Sequence, residues 1–89
     1  MATPRVRTRY PQAFYQLLYR AKSEGEWRVA LNDEQKARRL RNRLYAFRQA
    51  LLDAPETAPD LAIIAPLFSF YIKEGNLTIY LRQPESFDA

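Results

Sequence analysis

The chain has no cysteine and no histidine. Without cysteine there is no disulfide framework and no thiolate metal site, which fits a reducing compartment. Without histidine the usual imidazole base and the commonest metal ligand are missing. Two glycines are too few for a phosphate-cradling loop. No Ser, Lys or carboxylate stands in a catalytic spacing, and Asp33-Glu34 is explained as helix-start chemistry. Neither catalysis nor a cofactor or metal is expected. Long apolar runs are also absent. The longest uncharged stretch, Leu61 to Ile72, is broken by Pro66 and Ser69 and is too short to cross a bilayer. Charged residues near the N-terminus are not followed by the apolar stretch of a signal peptide. A cytoplasmic, non-membrane protein is the expectation.

What is present supports a folded domain. Of the 89 residues, 47% are hydrophobic and 13% aromatic, enough for one core. Charge is divided unevenly. Residues 1–48 hold 12 Lys/Arg against 4 Asp/Glu, and residues 49–89 hold 2 against 6, so the halves carry +8 and −4. Such asymmetry points to a surface for a polyanion or an acidic protein.

Residues 1–10 read as a basic arm. Arg5, Arg7 and Arg9 alternate with Val6 and Thr8, so an extended chain puts the three on one side. A solvated tail is the alternative. The single domain then covers residues 11–83. Helical spacing of Phe14, Leu17, Leu18 and Ala21 predicts a helix over 11–24, with Pro11 at its first position and Gly25 as its stop. Alternation of Trp27, Val29 and Leu31 predicts a strand over 26–32, with Trp27 in the core and Arg28 on the other face. A second helix follows to about Asp53. Asn32 is its expected N-cap, boxed with Gln35, and Leu40, Leu44, Phe47 and Leu51 form its buried stripe. Residues 54–66 hold three prolines and read as a linker, in which Asp60 caps one helical turn or a short segment is buried. A hairpin occupies 67–83, with Gly75-Asn76 as its turn and Tyr71 opposite Tyr80. Residues 84–89 form an acidic tail. The expected fold is α+β, in the order α-β-α-(short turn)-β-β, with a three-stranded antiparallel sheet packed against two helices.

The second helix carries the clearest chemistry. Arg38, Arg41, Tyr45, Arg48 and Leu52 fall on one stripe, and Arg39 and Arg43 flank the buried stripe on its other side. No acidic residue lies between Glu34 and Asp53, so these cations are expected to lack partners at i±4. Arginine grips phosphate and tyrosine can stack on a base. A solvated helix face is the plainer reading. On the hairpin, Tyr71 and Tyr80 with Lys73 and Arg82 beside them suit a stacking platform for single strands, or a second small core under the arm or a dimer partner. Tyr10, Tyr15 and Tyr19 could join either cluster.

The element order loosely resembles winged-helix DNA-binding domains, with Glu74–Asn76 as the wing tip. That family's reading helix stands just before the hairpin, where this chain has the apolar DLAIIA without a basic residue, so groove reading by that element is not implied. The small charged single domain also resembles accessory proteins of phages and mobile elements. Two functions follow as expectations. One is a non-catalytic module that grips the DNA or RNA backbone. The other is an inhibitor or assembly subunit that docks an acidic protein. Open sheet edges would also permit a homodimer.

Overall fold

The structure is a computed structural model, and it describes residues 10–82. Arg5, Arg7, Arg9 and the acidic tail therefore lie outside the described residues. The elements are α1 (Gln12–Glu24), β1 (Glu26–Val29), α2 (Glu34–Asp53), α3 (Pro59–Ile64), β2 (Phe68–Lys73) and β3 (Asn76–Leu81). Short 3-10 turns flank α3 at Pro55–Thr57 and Ala65–Leu67. The three strands form one antiparallel sheet in the order β1-β3-β2. The expected α+β fold is thus present. A third helix, α3, stands in the proline-rich stretch, where one helical turn or a short buried segment is expected.

Helices α1 and α2 pack on one face of the sheet, α1 over β1 and β3, α2 over β2 and β3. Phe14, Leu18 and Ala21 of α1 meet Leu44, Phe47 and Leu51 of α2 in the core. Phe70, Leu77 and Ile79 close it from the sheet, and Leu61 and Ala65 from the α3 region. Leu40 is only partly buried at the edge of this cluster. Trp27 is also half-buried, its ring covered by the Arg20 guanidinium at 4.8 Å. Tyr10 packs against Phe14 and Phe47, with ring centroids at 6.0 and 5.2 Å, so it belongs to the domain rather than to the arm.

Several local expectations are corrected. Pro11 is the N-cap of α1, with extended ψ, and not its first helical residue. Gly25 does stop α1, at φ 88°, its N–H donating to the Ala21 carbonyl. Strand β1 ends at Val29, two residues before Leu31. The N-cap of α2 is Asp33, whose carboxylate accepts from the N–H of Gln35 and Lys36 at 3.0 Å each. Asn32 sits instead at φ 52°, a left-handed conformation that a cap residue does not adopt. Asp60 does not cap α3; the N-cap is Ala58, and Asp60 stands within the first turn.

The hairpin turn is Glu74-Gly75, one residue earlier than expected, and Lys73 pairs with Asn76. Both turn residues have positive φ, 53° and 77°, as a primed turn requires. Every partner on β3 consequently shifts by two residues, which leaves each side chain on its expected face. Tyr71 pairs with Thr78, and Ser69 with Tyr80. The cause is tertiary. The tip docks on the loop between β1 and α2: the Gly75 carbonyl accepts from the Asp33 N–H at 3.0 Å. Asn76 Oδ1 accepts from the N–H of Leu31 and Asn32 at 2.9 and 2.8 Å. The hairpin tip is pinned to the start of α2 and does not project.

A Cβ on Gly75 would lie 2.8 Å from the Asp33 nitrogen, whereas one on Gly25 meets nothing within 4 Å. Both glycines have positive φ, so alanine costs roughly 1 kcal/mol at either from the backbone alone. Gly75→Ala must also break the tip contact, which should roughly double the loss. Thermal unfolding followed by circular dichroism checks this; Gly75→Ala should melt several degrees below Gly25→Ala.

Candidate nucleic-acid interface

Helix α2 positions most of the basic residues because one of its stripes must be buried. Leu44, Phe47 and Leu51 are 0 to 1% exposed, each worth about 1.5–3 kcal/mol of burial. The arginines fall on the two flanks that remain. On the flank toward β2, the Tyr45 ring meets Phe70 edge-on at 4.8 Å. Arg48 Nη1 donates to the Phe68 carbonyl at 2.9 Å, and its guanidinium lies 5.0 Å over the Tyr45 ring. On the flank toward α1, the Arg43 guanidinium covers the Phe14 ring at 5.0 Å.

These contacts divide the expected site. Arg48 is half-buried and ties α2 to the start of β2, and Arg43 shields a core ring. Arg38 has one partner at i−4, Glu34, at 3.4 Å with both side chains more than half exposed. The expectation that no intrahelical partner exists is corrected there, although an exposed pair is worth only about 0–1 kcal/mol. Arg39 and Arg41 form no ion pair or hydrogen bond among the described residues. Lys36, Arg38, Arg39, Arg41 and Arg43 thus share a single ion pair among the described residues.

The outer face of the sheet is the second part. Tyr71 and Tyr80 are diagonal neighbours and not a directly opposed pair, their centroids 6.1 Å apart and planes 30° from parallel. Tyr71 is 49% exposed. Lys73 is exposed on the same face, while Arg82 turns its Nη2 to the Pro66 carbonyl at 3.1 Å. The pairing of Arg28 with Thr78, itself opposite Tyr71, adds an exposed cation that the alternation of β1 puts on its outer side but does not link to the site. Only the long-range pairing of β1 with β3 brings it there, and no local pattern signals that.

Helix α3 contributes no cation. Its Leu61 and Ala62 are buried, and Ile63 is 79% exposed. At its start, Asp60 accepts a hydrogen bond from the Tyr19 hydroxyl at 3.0 Å. Partial desolvation, followed by that hydrogen bond and the Asp60 charge, raises the Tyr19 phenol above its ordinary pKa. Among the described residues no group of three or more acidic side chains could hold a metal ion. No helix among them is long and apolar enough to cross a membrane. Comparison with known proteins finds no matching family model, curated protein or solved structure.

The two kinds of arginine should separate in a denaturant experiment. Arg48→Gln removes a charge-assisted bond to a backbone carbonyl and should cost about 1.5–3 kcal/mol in urea unfolding. Exposed Arg39→Gln should stay within about 0.5 kcal/mol of the native chain, and Arg41→Gln, half-buried but without a hydrogen bond among the described residues, should cost less than Arg48→Gln.

Proposed function

We propose that this protein binds nucleic acid without catalysis, gripping the phosphate backbone with Arg38, Arg39 and Arg41 of α2. The observation that carries the reading is the uncompensated charge of α2. Five cations between Lys36 and Arg43 share one exposed ion pair among the described residues. Like charges held this closely on a helix oppose folding by a few tenths of a kcal/mol per pair. A polyanion relieves that repulsion and releases its own counterions.

Arg43 stays within reach of a phosphate from its place over Phe14, and Tyr45 stands 39% exposed beside Arg48. The arm, with Arg5, Arg7 and Arg9, would extend the basic surface. Tyr71, Tyr80, Lys73 and Arg28 offer a second face on which unpaired bases could stack. Base reading in a groove is not part of the proposal, since α3 is apolar and the hairpin tip is docked. A protein partner is the second reading, favoured by the exposure of Ile63 at 79% and Leu52 at 40%.

Nuclease-treated protein should bind labelled duplex and single-stranded oligonucleotides in fluorescence anisotropy at ~50 mM salt, with much weaker binding at ~200 mM. Absence of binding at ~50 mM to either would overturn the proposal.

A further inference from the structure

The C-terminal end of α2 has the opposite electrical character. A cavity of about 360 Å³ lies between this end and the start of α1, lined by Tyr10, Tyr15 and Phe47 together with Asp53 and Glu56. It adjoins a more open groove of about 660 Å³ that runs past Tyr19 and Asp60. Tyr10 and Tyr15 line both.

Four features of this cleft favour a cation. Tyr10 and Tyr15 stand in its wall, and ring faces attract cations through their quadrupole. The rings are held in place: Tyr15 meets Phe47 edge-on at 4.8 Å, and Tyr10 lies 5.2 Å from the same ring. Three carboxylates surround it, none in an ion pair among the described residues. Asp53 accepts from the neutral Gln49 amide, and Asp60 from the Tyr19 hydroxyl and the Leu61 N–H. Finally, the last turn of α2 has no basic residue, so the negative end of its dipole faces Asp53 without opposition. The carboxylates do not gather into a metal-binding group. An extended organic cation, apolar along its stem and charged at its head, matches the walls better than a compact ion.

We propose that this cleft receives an arginine side chain from a basic segment of a partner protein. The guanidinium stacks against Tyr10 or Tyr15 and is neutralised by Asp53 and Glu56, while the flanking peptide follows the groove toward Asp60. A planar, weakly hydrated guanidinium suits stacking between rings and carboxylates. The volume falls within the usual range for a specific pocket, about 300–1,000 Å³. The site is independent of the basic flanks of α2, so failure of nucleic-acid binding would leave it standing.

The test is a titration of the full ¹⁵N-labelled chain, followed by NMR, with a capped peptide of alternating glycine and arginine. A glycine–glutamate peptide of equal length is the control. Amide shifts should concentrate at Tyr10, Tyr15, Asp53 and Glu56 with the arginine peptide alone. The double variant Asp53→Asn/Glu56→Gln, both positions exposed, should keep its melting temperature and lose at least tenfold in affinity. Absent shifts, shifts spread evenly over the acidic surface, or an unaffected double variant would overturn the proposal. So would binding seen only after deletion of residues 1–9, which would assign the cleft to the chain's own arm.

Discussion

Leu44, Phe47 and Leu51 are almost wholly removed from water, and their position on a single stripe of α2 is the constraint around which the other elements are placed. Phe47 is the centre of it. Phe14 meets its ring edge-on and Tyr15 does the same, while Tyr10 lies tilted over it. Once this stripe is buried between α1 and the sheet, the flanks of α2 have nowhere to go but the surface, and the arginines go with them. Burial of three large side chains outweighs by several kcal/mol the modest repulsion among exposed guanidinium groups. The charge arrangement is therefore a consequence of packing that the fold can tolerate, and it leaves a surface with net positive potential.

The second constraint is the docking of the hairpin tip on the loop before α2. The Asp33 N–H donates to the Gly75 carbonyl and the N–H groups of Leu31 and Asn32 donate to Asn76 Oδ1, joining segments more than forty residues apart. They set the register of β2 against β3 and the starting point of α2 together. They also hold in place the strand that carries Tyr71 and Lys73 on its outer face.

Much of this was legible in the sequence, and the exceptions have a common cause. Helical spacing located α1 and α2, alternation located β1 and the hairpin, and the stop signals at Gly25 and before Pro55 held. The N-cap, the turn residues and the hairpin register were misplaced by one or two positions. A long-range contact acts at each: Asp33 N–H bonds the Gly75 carbonyl, and the Leu31 and Asn32 N–H groups bond Asn76 Oδ1, which fixes Asn32 in a left-handed conformation and Glu74-Gly75 as the turn. The helical turn that the sequence offers as one alternative among the prolines is α3, whose Leu61 and Ala62 are buried against the core. In the candidate site, the stripe positions of the arginines were readable. Their separation into tethered and untethered was not, since Arg48 meets a carbonyl twenty residues away and Arg43 a ring on another helix.

Helix α2 thus joins two surfaces of opposite sign, a basic one along its first half and an acidic, tyrosine-lined cleft at its end. In the proposed function the untethered arginines of the first half engage phosphate. The most direct measurement is the salt dependence of duplex binding for the native chain and for the triple variant Arg38→Gln/Arg39→Gln/Arg41→Gln. Each lost phosphate contact should reduce the slope of log K against log salt by about 0.9. A slope shallower by roughly 2–3 in the variant, with its stability retained, is the expected result. An unchanged slope would contradict it.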